Sequence, residues 1–158
     1  MTEETRKATA EDIDTLVKVR FDYFAAENWE VSAEQGALIE ANLRSFYAKH
    51  LNDDFFAFLT EVDHQVVSAA FLGIEYRPAN LSHFTGKTGT VYNVLTYPEH
   101  RRRGCATRTM RALIDEALGQ ELSYITLAAS ASGKPLYRKL GFQELIPTVF
   151  TDMKLTLG

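Results

Sequence analysis

Arg101, Arg102 and Arg103, followed at once by Gly104, Cys105 and Ala106, are the residues of this sequence best placed to do chemistry. The run from Val91 to Thr96 ahead of them reads as a strand, and Pro98 closes it. Behind them Ala106, Met110, Leu113, Ile114, Ala117 and Leu118 recur at helical spacing. Arg101-x-x-Gly104-x-Ala106 therefore stands at a helix start. The first turn of a helix carries backbone N–H groups without intrahelical partners, and the helix dipole adds positive potential there. Small residues let an anion approach, and guanidinium forks match phosphate oxygens. The spacing predicts an anion-binding helix N-terminus.

A second cluster lies downstream, from Ser130 through Gly133, Leu136, Tyr137 and Leu140 to Gly141-Phe142. Taken together, the two stretches resemble the GNAT superfamily of acyl-CoA-dependent N-acetyltransferases. Leu95 to Ala106 matches that family's strand, Pro and Arg/Gln-x-x-Gly-x-Gly/Ala helix start without a gap. Leu136-Tyr137-Arg138-Lys139-Leu140-Gly141-Phe142 matches its Leu-Tyr-x-Lys-Leu-Gly-Phe segment at the family's usual distance. The resemblance implies an α/β (α+β) GNAT fold over residues 1–158, a single domain. Its sheet would be mixed, mostly antiparallel, of about seven strands splayed between the fourth and fifth, with about four flanking helices.

The resemblance also implies the chemistry: an acetyl group passes from acetyl-CoA, with no metal, to a primary amine of a small molecule or peptide. Main-chain groups of Val94, Leu95 and Thr96 would meet the pantetheine arm and the thioester carbonyl. An N–H aimed at the developing oxyanion contributes about 2.7–4 kcal/mol. Arg101, Arg102, Arg103, Gly104, Cys105, Ala106 and Thr107 would wrap the pyrophosphate, mainly through backbone amides. Tyr137 occupies the position of the general acid, and a phenol with a reference pKa of ~10 is protonated at neutral pH. Ser130 falls where many relatives carry an Asn that touches the cofactor arm. The run Thr88 to Leu95 has no carboxylate to act as base. Glu75 is the best remaining base, with His83 behind it; the alternative is an amine that loses its proton through ordered water, with Asn93 only orienting it.

Other readings of the same residues are weaker. Cys105 at a helix start beside arginines could be an activated nucleophile, but no Cys-His-Asn arrangement accompanies it. Gly86-Lys87-Thr88 has Leu81 where a P-loop needs its leading glycine, and it precedes a strand rather than a helix. The four histidines show no ligand spacing. A GNAT-like module that binds acyl-CoA only to sense or regulate is the main alternative to a catalyst.

The elements that must position these groups are legible too. Thr9 caps a helix with Ile13, Leu16, Val17, Phe21 and Phe24 at helical spacing. Ser32-x-x-Gln35 is a capping box, so a second helix runs from about Ala33 to His50. Strands are predicted at Thr5–Ala8, Phe55–Glu61, Gln65–Tyr76, Thr88–Tyr97 and Ser123–Ala128, with a turn at Asp63-His64. A short helix follows around Pro135–Lys139, then strands near Phe142–Leu145 and Val149–Leu157.

Composition narrows the setting. A chain of 158 residues is one domain's worth. A net charge of −4 argues against a general nucleic-acid binder, so the triple arginine is a local positive site on an acidic body. One cysteine suits a reducing compartment, and no segment reads as a signal peptide or a membrane span, so a cytoplasmic protein is expected. A homodimer is left open. The acceptor wall is expected from Glu27 to Val31 and the loop Tyr76–Lys87, with Trp29 and Phe84 as an apolar floor. Glu27, Glu30, Glu34 and Glu75 in or near those segments point to a cationic acceptor.

Overall fold

The computed structural model describes residues 1–158. They fall into two units, 1–128 and 129–158, described in turn. The first unit contains β1 (Glu3–Lys7), α1 (Ile13–Ala26), α2 (Ala33–His50), β2 (Phe55–Val62) and β3 (Gln65–Tyr76). It continues with β4 (Lys87–Thr96), α3 (Cys105–Gly119) and β5 (Ile125–Thr126). One five-stranded sheet runs in the order β1-β2-β3-β4-β5. Every pairing is antiparallel except β4 with β5, which is parallel.

The centre of the sheet explains its sequence. β2 reads FFAFLTEV and is buried on both faces, as a strand covered by helices on each side must be. Phe55, Ala57, Leu59, Ala69 and Phe71 pack with Leu16, Val17 and Val19 of α1 and Tyr47 of α2. Thr60, one residue out of phase, projects from the opposite face and bonds Thr109 of α3 at 2.7 Å. Thr109 Oγ1 donates back to the Cys105 carbonyl at 2.8 Å, so its hydroxyl accepts from Thr60. Thr60 then accepts from Thr5 at 2.8 Å. This chain of hydroxyls ties the first turn of α3 to β2 and β1.

The local signals behave as the sequence predicts. The Ser32 hydroxyl accepts from the Gln35 N–H at 3.1 Å, and the Gln35 side chain accepts from the Ser32 N–H at 3.0 Å. Asp63 and His64 take φ of 49° and 65°, the left-handed pair that a tight hairpin turn needs. Three expectations change. β1 starts and ends earlier than Thr5–Ala8. β5 keeps only two residues of Ser123–Ala128, because β4 leaves it after Thr90. Residues 142–145 and 149–157 form no strand, leaving five strands where about seven were expected. The apolar alternation there is strand-like, but a strand exists only with a ladder partner, and residues 129–158 make no ladder among themselves. This second unit holds α4 (Lys134–Lys139).

Tyr47, 2% exposed, sits edge-on to Phe71 with centroids 6.2 Å apart. Burial pushes its phenol up to about 12. The unfolded chain ionises near ~10 and so binds fewer protons between those values, and stability falls as pH rises through that window. Tyr97, raised to about 12 by burial and then by Asp22, adds to the same loss. Tyr47→Phe is expected to lose up to about 2 kcal/mol less than wild type from pH 9.5 to 11.5 (reference values and scale as for ordinary tyrosine). Urea denaturation at both pH values measures this, and equal losses would refute it.

Candidate active site

β4 and β5 are joined at one end only. They pair at Gly89–Ile125 and Thr90–Thr126, with the Gly89 N–H donating to the Tyr124 carbonyl at 3.0 Å. A Cβ on Gly89 would come within 2.8 Å of Leu72 and 2.9 Å of Leu122, so only glycine allows this approach. Beyond Thr90 the strands part, and the edge of β4 facing β5 is left without a ladder.

The ladder with β3 determines which groups that edge presents. Arg77 N–H bonds the Gly86 carbonyl, which by alternation turns Glu75–Thr88, Gly73–Thr90 and Phe71–Tyr92 toward each other. Tyr97 N–H bonds the Val67 carbonyl, which turns Leu95 toward Ala69. The two phases meet at a bulge where Asn93 and Val94 stand opposite Ala70 alone. Asn93 adopts φ 56°, a conformation asparagine tolerates better than most residues. Val94 and Thr96 therefore direct main-chain groups to the open side, while those of Leu95 are spent on β3. The Thr96 carbonyl already accepts from Arg101 Nε at 3.0 Å.

Ten residues after Val94 the chain reaches the N-terminus of α3. Gly104 caps it at φ 80° with no side-chain cap, leaving the N–H groups of Cys105, Ala106 and Thr107 for another acceptor. A Cβ at Gly104 would meet the Arg108 guanidinium at 3.0 Å. Arg108 holds the turn from inside, donating to the Arg103 carbonyl at 3.0 Å and pairing with Glu3. Arg101, Arg102 and Arg103 are exposed. Cys105 is 2% exposed, packed with Val62 and Val67, so its thiol is a core group and its N–H the useful one.

The acid–base candidates are less free. Glu75 accepts from the Thr90 hydroxyl at 2.6 Å and from Arg77 at 2.8 Å, and these bonds, Thr90 first, hold its carboxyl below the usual range. Such a carboxylate is a weakened base. His83 Nε2 bonds the Pro78 carbonyl at 3.0 Å inside its own loop. The Asn93 side chain is 3% exposed and turns to α1, its Nδ2 3.5 Å from the Val19 carbonyl. Trp29 stacks on Phe24 at 5.4 Å, while Phe84 is 76% exposed. Glu75 and Tyr92 line a cavity of about 340 Å³ between α2 and the sheet, with Arg20 of α1 on its wall. The sequence reading missed Arg20, although a charge four residues from both Leu16 and Phe24 interrupts an apolar stripe.

In the second unit, the Tyr137 ring packs edge-on to Phe142 at 5.8 Å. It lies so close to Gly133 that a Cβ there would come within 2.9 Å of the ring. The Ser130 hydroxyl accepts from the Gly133 N–H at 3.2 Å, so it is engaged in starting α4.

The sequence model of the acetyltransferase (GNAT) family matches residues 22–142, and the chain belongs to that family. It is an acyltransferase with a GNAT fold. It is similar to a predicted acetyltransferase from Clostridium acetobutylicum solved with acetyl-CoA, at 28% identity, 96% coverage of both chains and TM-score 0.82. A GCN5-related N-acetyltransferase from Ralstonia eutropha JMP134 shares the fold, at 22% identity over 98% and 99% of the chains and TM-score 0.77. An aminoglycoside 6'-N-acetyltransferase from Acinetobacter haemolyticus does so too, at 19% identity over 97% and 99% and TM-score 0.68. No curated protein sequence gives a significant match.

Gly104→Glu places bulk and negative charge against the free N–H groups of α3. Acetyl-CoA at a hundredfold excess over Kd is expected to stabilise the wild type by about 2.7 kcal/mol and the folded variant by nothing measurable. Cys105→Ala is expected to keep the effect. A thermal-unfolding titration decides, and unchanged affinity in Gly104→Glu would refute the assignment.

Proposed function

We propose that this protein transfers an acetyl group from acetyl-CoA to a primary amine of a small molecule or peptide, with residues 1–158 acting as one GNAT domain. The observation that carries this is the uninterrupted run from β4 to α3. An open, bulged strand edge leads within ten residues to an uncapped helix N-terminus among three exposed arginines. The edge suits the amide-rich pantetheine arm and the helix start suits a pyrophosphate. Val94 and Thr96 offer main-chain groups to the arm and carbonyl, and Leu95 supports them by anchoring the ladder to β3. Arg101 to Thr107 take the pyrophosphate, and Ser130 assists at most from its place ahead of α4.

In the reaction the neutral amine attacks the thioester carbonyl. An N–C bond forms, the C–S bond breaks, and oxyanion character develops toward a β4 N–H. The amine proton passes to water, because Glu75 is committed to Thr90 and Arg77 and the Asn93 side chain is turned to α1. Tyr137 donates its phenolic proton to the departing thiolate. The aminoglycoside enzyme among the structural neighbours is named for an amine acceptor, which agrees with this class. The single buried cysteine agrees with a cytoplasmic setting, and a homodimer is compatible with this reading.

Tyr137→Phe is expected to lower turnover by about 10²–10⁴-fold while leaving coenzyme A affinity nearly intact. Single-turnover rates and a coenzyme A titration on the same preparation test this. An unchanged chemical step would reassign Tyr137 to packing against Gly133 and Phe142.

A further inference from the structure

The cavity between α2 and the sheet has a definite electrostatic character. Aromatic side chains of Phe46, Tyr47, Phe55, Phe71 and Tyr92 line it. Three titratable groups besides Arg20 face it, and each has a partner. Glu75 is bonded to Arg77 and Thr90, and Asp54 Oδ1 accepts from His50 Nδ1 at 2.7 Å, His50 itself being the third. Arg20 forms no ion pair. Its guanidinium lies over the Phe24 ring at 4.9 Å and the Tyr23 ring at 5.9 Å, and its one polar contact is a long 3.5 Å bond to Asn93 Oδ1. The rings hold the guanidinium in place without neutralising it. A half-buried, oriented guanidinium beside an aromatic cavity has the fork geometry that suits a carboxylate.

The position of that charge matters as much as its sign. Asn93 is a bulge residue of β4, so Arg20 stands beside the bulge in the stretch of β4 that lies beyond its pairing with β5. We propose that this cavity is the acceptor site, and that Arg20 holds the carboxylate of an amine-bearing acid whose aromatic body lies against Phe46, Phe55 and Tyr92. This rests on the acetyltransferase reading above. An α-amino acid meets the geometry, since one carbon separates its amine from its carboxylate. An anion held by Arg20 then keeps the amine near the bulge while the side chain fills the cavity. The sign is the reverse of the cationic acceptor that the glutamates suggest from sequence. Of those four only Glu75 lines the cavity, and Arg77 offsets its charge.

Thiol release from acetyl-CoA with L-phenylalanine, L-phenylalaninamide and phenethylamine tests the proposal. Phenylalanine is expected to exceed the other two in kcat/KM by on the order of 10²-fold. Arg20→Gln is expected to remove that advantage, bringing phenylalanine to the level of the two carboxylate-free amines with acetyl-CoA affinity unchanged, and Arg20→Lys to restore part of it. Equal use of all three amines by the wild type would overturn the proposal. So would an equal loss on all three in Arg20→Gln, which would leave Arg20 only a packing role through Asn93. Calorimetric titration of phenylalanine into the protein, with and without coenzyme A, gives a reading that does not need turnover. Binding lost in Arg20→Gln supports the site, and no binding to the wild type refutes it. Failure of acetyl-CoA itself to bind would instead refute the acetyltransferase reading.

Discussion

The hydrogen bond from the Gly89 N–H to the Tyr124 carbonyl sets the geometry on which the site depends. It pins two parallel strands at one end, in a space that admits no side chain. Strand twist and the bulge at Asn93 then carry β4 away from β5. Were the two strands paired along their length, β4 would spend both edges on the sheet. Pinned only as far as Thr90, it satisfies one edge with β3 and keeps the rest of the other for a ligand. The cost of an exposed sheet edge is normally managed by covering or charging it. Here Arg101 crosses to the Thr96 carbonyl and closes the end of the edge nearest α3.

Charge is distributed to match. The body of the chain is acidic overall, yet the turn from β4 to α3 concentrates arginines at the positive end of a helix. Several acidic groups are already matched by neighbouring cations, as Asp12 and Glu61 are by Arg6 and Glu116 is by Lys7. Among the cations outside such pairs are the exposed arginines ahead of α3 and Arg20 in the cavity. The arginines ahead of α3 reach the end of the open stretch of β4 at Thr96, and Arg20 lies beside Asn93 within that stretch.

Local rules carried much of this into the sequence. The bounds of α2 and β3 follow from a capping box and from turn residues acting within a few positions, and both appear where the spacing places them. The start of α3 is equally local, because Gly104 alone supplies the left-handed cap. What escaped the sequence is tertiary. Alternation in Val91 to Thr96 gives no sign that Asn93 and Val94 share one partner, so Leu95 looks as available as its neighbours until the β3 ladder is seen. Ser123 to Ala128 has the composition of a longer strand, but its length is set by where β4 departs. Glu75 reads as a free carboxylate until Thr90 and Arg77 are found beside it. Residues 149–157 alternate like a strand and have no ladder within their unit.

The threonine chain that anchors α3 has a direction, and that makes its three hydroxyls unequal. Each has a single proton, and the Cys105 carbonyl at the far end can only accept, so protons point from Thr5 through Thr60 to Thr109. Loss of the Thr5 hydroxyl leaves Thr60 short of a donor at a half-buried position open to water. Loss of the Thr109 hydroxyl strands the Thr60 proton in a fully buried site, where an unmet donor costs about 1–3 kcal/mol. The same methyl-for-hydroxyl exchange thus becomes harsher step by step toward the helix. The chain works as a one-way brace, firmest where it meets the turn that receives the anion.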